Sequence, residues 1–156
     1  MLFRSLHLQA RKLDIRLATE LPAHCPPVLC DRTMVEQVLL NLARNGMQAM
    51  PALPATAMHE RVLVLRVRQA GGAWVEFSVA DVGEGIAPEI GQRLFTPFFT
   101  TKEEGMGLGL SLCRTVVEQH GGALSFEPQS PRGTIFLFTL PAATDSDERA
   151  TRPELS

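Results

Sequence analysis

The sequence has little cysteine, no surplus of basic charge and no long apolar run, and each absence closes off a class of protein. Cys25, Cys30 and Cys113 are odd in number and sit in apolar or helical contexts, which argues against a disulfide framework and for a reducing, cytoplasmic setting. His24, Cys25 and Cys30 have neither a fourth ligand nor CxxC spacing, so they do not read as a zinc site. With 15 basic and 17 acidic residues the formal net charge is -2, which argues against a nucleic-acid partner, because a phosphate-backbone binder carries a basic excess or stripe. No apolar run approaches the roughly 18 residues that cross a bilayer, so no membrane contact is expected of this domain. The first 13 residues hold Arg4, Arg11 and Lys12 without an acid. Leu2, Phe3, Leu6, Ala10 and Leu13 nevertheless recur there at helical spacing and predict an ordinary first helix rather than a targeting presequence.

What remains is a chain of 156 residues, 45% apolar, enough to bury one core without crosslinks. Alternation over Asp14–Thr19 predicts a strand, and Val28–Cys30 a short one. Asp31 is a candidate N-cap for a long helix starting near Thr33 and ended by Pro51 and Pro54. Strands over residues 61–69 and 73–80, with Gly71-Gly72 between them, predict an antiparallel hairpin. Pro88 near a first helical position predicts a short helix, and residues 92–108 read as a mobile loop. A helix from about Leu108 to Gln119 ends at Gly121-Gly122, and strands over residues 123–127 and 134–140 close the pattern. The expected fold is α+β: a two-layer α/β sandwich of a mixed five-stranded sheet on about three helices, spanning residues 1–141. The polar tail, residues 142–156, is expected to be disordered.

Three blocks carry the chemistry. In the long helix, Val35, Val38, Leu39, Leu42, Gly46 and Ala49 form the expected core stripe, while Asn41, Asn45 and Gln48 share a neighbouring stripe at the edge of the core. These amides are either solvated surface groups or ligands: a neutral Asn45 oxygen suits Mg2+, which needs few protein ligands when phosphates supply the rest. Arg44 is either a phosphate contact or a surface charge. Asp81 ends an apolar strand and opens the turn DVGEG. It reads either as a strand-end Asx turn or as an acceptor for an adenine amine, with Gly83 and Gly85 letting the base approach the backbone. A dinucleotide fingerprint fails, since Pro88 stands where its third glycine belongs. Gly105, Gly107 and Gly109 precede a helix whose N-terminal N–H groups suit a triphosphate. No Lys-Ser or Lys-Thr follows them, so this is not a P-loop, and the available cation is Lys102. Blocks in this order point to ATP.

The order NLARNGMQA, DVGEG, FTPFF and GMGLGLS resembles the N, G1, F and G2 boxes of the catalytic ATP-binding domain of two-component sensor histidine kinases. The resemblance covers nearly the whole chain, through GTIFLFTLP, and implies a Bergerat-type fold shared with gyrase, the heat-shock 90 chaperones and MutL. It implies Asn45 on magnesium, Asn41 and Gln48 near the phosphates, and Asp81, Gly83, Gly85, Ile86 and Thr134 around adenine. It further implies Phe95 and Phe98 anchoring a lid that Lys102, Gly105, Gly107, Leu108, Gly109 and Leu110 close over the triphosphate. Gly46 replaces the usual Ala, and Met106 a common Thr.

Asn41 decides among the activities of that superfamily. Hydrolytic members carry a Glu there to activate water, and an amide cannot act as that base. The expectation is therefore γ-phosphate transfer to a His on a dimerisation and phosphotransfer domain, then to a response-regulator Asp. The alternatives are an ATP hydrolase, a non-catalytic nucleotide-sensing module, or a related Ser kinase. Of His7, His24, His59 and His120, only His59-Glu60 has the acidic follower of an acceptor, and it opens a strand. The acceptor is accordingly expected on a separate domain of a parent sensor, itself in the inner membrane or not.

Overall fold

A computed structural model describes residues 2–23, 28, 30–50, 61–71, 73–96 and 109–143. The elements are α1 (Leu2–Lys12), β1 (Arg16–Glu20), α2 (Arg32–Ala49), β2 (Val62–Ala70), β3 (Trp74–Ala80), α3 (Pro88–Gly91), α4 (Gly109–Gln119), β4 (Ala123–Pro128) and β5 (Thr134–Pro141). They build a five-stranded sheet in the order β1-β2-β3-β5-β4. β1 runs parallel to β2 and every other pairing is antiparallel, so the sheet is mixed, as the hairpin pattern requires.

Strand β5 alternates buried and half-buried along its whole length, the period-2 signature of a sheet with one face on a core. Phe136, Phe138 and Leu140 join Leu63, Leu65, Val79 and Leu124 in a single cluster with Leu6 and Ala10 of α1, Val38, Leu42 and Met47 of α2, and Cys113 and Val117 of α4. Phe138 is fully buried and stacks on Phe77, its direct register partner, with ring centroids 4.9 Å apart. Helix-on-sheet packing of this kind is the expected two-layer sandwich.

The helix ends are built by the chain's own cap chemistry. Asp31 Oδ1 accepts from Met34 N–H at 3.1 Å, which starts α2 at Arg32, one residue before the expected point. After α4, Gly121 takes a positive φ of 83° while the Gly122 and Gly121 N–H groups donate back to the Val117 and Glu118 carbonyls, a Schellman closure. Asp14 closes α1 in the same way, with φ 55° and Ile15 N–H donating to the Ala10 carbonyl. The first strand therefore begins at Arg16 rather than at Asp14. Val28 forms an isolated antiparallel bridge to Ala142, and Leu29, the centre of the expected short strand, lies outside the described residues.

The core stripe of α2 also lies differently from its expected course. Val35, Val38, Leu42 and Gly46 are buried as expected, joined by Ala43 and Met47, whereas Leu39 and Ala49 are half-buried. The stripe follows both the i+3 and i+4 rows because α2 is covered on two sides, by the sheet and by α4. Residues 92–96 form turns, and the rest of the expected loop and residues 144–156 of the expected tail lie outside the described residues. Among the described residues no helix is long and apolar enough to cross a membrane.

Candidate functional site

β3 delivers Asp81 to the end of the sheet and buries it to 3% exposure. A carboxylate in such a place must find donors or give up its charge. Its Oδ1 accepts from Gly83 N–H at 2.9 Å, and the Thr134 backbone also donates to it. Burial is the larger influence and holds its pKa above the usual aspartate value, with the Gly83 and Thr134 hydrogen bonds pulling the other way. The result is a desolvated acceptor whose charge is only partly compensated by the protein.

The turn around it is pinned from several directions. Asp81 N–H donates to the Thr134 carbonyl at 2.9 Å, Gln129 Nε2 donates to the Asp81 carbonyl at 2.8 Å, and Arg132 Nε donates to the Gly83 carbonyl at 2.9 Å. Gly133 has φ 115°, and a Cβ there would collide with the Asp81 carbonyl. Gly85, at φ 83°, lies against the Gly133 carbonyl. Gln129, Arg132 and Gly133 were absent from the sequence-based site. The QSPRG segment announces a turn, but nothing in its composition says that its side chains reach another loop's backbone.

Helix α2 forms the opposite wall. A Cβ on Gly46 would sit 3.3 Å from Asp81 Cβ, and one on Gly83 would sit 2.9 Å from the Ala49 carbonyl oxygen, so the turn and the helix meet backbone to backbone. Asn41 and Asn45 are half-buried on this helix, as expected, whereas Gln48 is exposed rather than half-sheltered. Asn45 and Gln48 both have partners of their own. Asn41 hydrogen-bonds Cys113 of α4, whose thiol is pushed up to about 11, chiefly by burial and against that contact.

Thr134 is buried, Ile86 half-buried, and Gly109 and Leu110 open α4. Phe95 is half-buried and packs on Phe126 at 6.2 Å, with the Arg114 guanidinium 5.7 Å from its ring centroid. It fastens the segment after α3 to β4 and α4. Phe98, Lys102, Gly105, Gly107 and Leu108 lie outside the described residues. Among the described residues no group of three or more His, Cys, Asp or Glu could hold a metal. A cation here would therefore take amide and phosphate oxygens rather than a protein cage, a donor set that suits Mg2+.

A buried strand-end acid behind a glycine turn, facing an amide-bearing helix, has known counterparts. Residues 30–144 match the family described as histidine kinase-, DNA gyrase B- and HSP90-like ATPases. The chain belongs to this family. Its histidine-kinase branch is evident from the relatives. The C4-dicarboxylate transport sensor protein DctS of Rhodobacter capsulatus is 45% identical over 132 residues, covering 85% of this chain and 20% of DctS. The kinase domain thus spans about a fifth of that relative's length. The catalytic domain of histidine kinase ThkA superposes with a TM-score of 0.74 at 32% identity, covering 90% of each chain. ThkA in complex with response regulator TrrA matches at TM-score 0.69 and 29% identity, over 91% of this chain and 40% of that one. Full-length ShkA in complex with AMPPNP matches at TM-score 0.75 and 30% identity, over 92% of this chain and 30% of that one. The kinase domain is an ATP-binding catalytic module of the sensor histidine kinase type.

Proposed function

We propose that this domain binds MgATP between α2 and the 81–85 turn and donates the γ-phosphate to a His on a dimerisation and phosphotransfer domain, for relay to a response-regulator Asp. The observation that carries the reading is the buried Asp81 carboxylate with an amide, Asn41, one turn from Asn45 where a hydrolase needs an acid. Asp81 accepts the adenine amine, with Gly83, Gly85, Ile86 and Thr134 around the base. Asn45 holds magnesium, which neutralises phosphate charge, while Asn41 and Gln48 lie towards the phosphates. Leu110 and Gly109 at the start of α4, with Gly105, Gly107, Leu108 and Lys102 before it, close over the triphosphate; Phe95 and Phe98 anchor that lid. In the transfer step an acceptor imidazole nitrogen attacks the γ-phosphorus, the bond to the bridging oxygen breaks, and ADP leaves; a cation held by Asn45, together with Lys102, would offset the negative charge on the phosphates.

The TrrA complex of ThkA supports a response-regulator partner for the parent kinase, and the AMPPNP complex of ShkA supports a triphosphate in the pocket. Both reactions belong on the cytoplasmic side. Mixing the domain with labelled ATP and a separately produced acceptor domain should label the acceptor. ATP binding without any labelling sinks the reading. A hydrolase is the second reading, disfavoured because Asn41 cannot take a proton from water.

A further inference from the structure

Helix α2 packs directly on the Asp81 side chain at Gly46. A Cβ added there would stand 2.6 Å from Leu63 Cδ1, 3.3 Å from Asp81 Cβ and 3.6 Å from Asp81 Oδ2. The first distance is shorter than any real carbon contact. The Leu63 methyl already occupies the space in which an alanine methyl would lie, and Leu63 is fully buried, so it cannot swing aside without disturbing its neighbours. Oδ1 of Asp81 is held by Gly83 N–H at 2.9 Å, and Oδ2 faces the Gly46 side.

We propose that Gly46 and Leu63 act as a matched pair that positions the Asp81 carboxylate, and thereby set how strongly the pocket prefers a base that carries an exocyclic amine. The glycine admits the leucine methyl, and the two together form a dry wall against which the carboxylate cannot turn. An alanine at 46 drives Leu63 away and presses the Asp81 stem, rotating its oxygens off the line to Gly83 N–H and off the line to an adenine amine. A hydrogen bond to a charged acceptor contributes about 1.5–3 kcal/mol, so misaiming it lowers affinity by about tenfold or more, and only for a base that donates there. Gly46 and Leu63 are positioning residues and do not touch the nucleotide themselves. The inference rests on Asp81 reading adenine.

The test compares ATP with inosine triphosphate, which carries an oxygen in place of the amine, by calorimetric binding to wild type, Gly46→Ala, Leu63→Val and the double variant. The expected result is a preference for ATP in wild type that falls about tenfold in Gly46→Ala. It returns to within about threefold of wild type in the double variant, because valine lacks the clashing methyl. Equal weakening of both nucleotides in Gly46→Ala, an unchanged preference, or no rescue by Leu63→Val overturns the pairing. Leu63→Ala, which removes the wall without adding a methyl, should also lower the preference. An unchanged ratio in that variant overturns the proposal even where Gly46→Ala does not fold. If wild type itself shows no preference and Asp81→Asn does not alter binding, the adenine reading fails first and takes this inference with it.

Discussion

Asp81 has two demands on it that pull in opposite directions. Its burial makes the charged form unfavourable in the folded domain, whereas an adenine amine needs that charge to donate to. A folded-state pKa raised above the unfolded one means that the native state holds the proton more tightly, so stability is highest in acid and declines as pH rises through the raised value. The stability of wild type minus that of Asp81→Asn should therefore shrink from roughly pH 4 upward, followed by urea denaturation across pH. ATP affinity should rise over the same interval, and a flat difference in both would show that the carboxylate is not desolvated. Glycine positions separate equally well at this scale. Gly133→Ala forces a Cβ into the Asp81 carbonyl at φ 115° and should cost about 2 kcal/mol or more in the same assay. Gly109 has open space around it, so Gly109→Ala should be neutral or stabilising by about 0.5 kcal/mol.

Among the elements, α2 and α4 are joined through the core and, at the cap of α2, by one imidazole. His120 Nε2 accepts from Asp31 N–H at 3.0 Å while its Nδ1 faces the Val116 carbonyl at 2.7 Å, which fixes the Nδ1–H form and ties the end of α4 to the cap of α2. His120→Ala should cost about 1 kcal/mol and Asp31→Ala about 1 kcal/mol. A double-mutant cycle should show the two losses to be non-additive; strict additivity would mean that the cap and the bridge work separately. On the sheet side, Phe138→Ala should cost about 3–5 kcal/mol, read from chemical denaturation, because its site is fully buried and stacked on Phe77. Most elements were legible because their signals are local: Asp31 before a helical period, glycines after α4, and Gly71-Gly72 between β2 and β3. What was not legible depends on tertiary cover. The stripe of α2 shifts from Leu39 and Ala49 to Ala43 and Met47 because α4 covers a second side of the helix. Asp14 looked like part of an alternating strand, yet its short polar side chain tolerates the left-handed cap that ends α1. The pins from Gln129 and Arg132 join loops nearly fifty residues apart in sequence, a distance no periodicity spans.

At the scale of the whole molecule, the order β1-β2-β3-β5-β4 puts the end of β3 beside the start of β5, so that Asp81 and Thr134 meet at one edge of the pocket with α2 lying across them. The sequence blocks pick out Asp81, Gly83 and the α2 helix that packs on them, and the fold supplies the reason these meet. Asp81 packs against α2 at Gly46, and position 41 of that helix holds an amide rather than an acid that could activate water, which is the basis for reading a phosphate donor rather than a hydrolase. The most direct test is to incubate the domain with γ-labelled ATP and a separately produced His-bearing dimerisation domain, and to count label on protein against free phosphate. The account predicts label on the acceptor His with little free phosphate, both lost in Asn45→Ala. Steady phosphate release that disappears in Asn45→Ala, with no label on the acceptor, would contradict it.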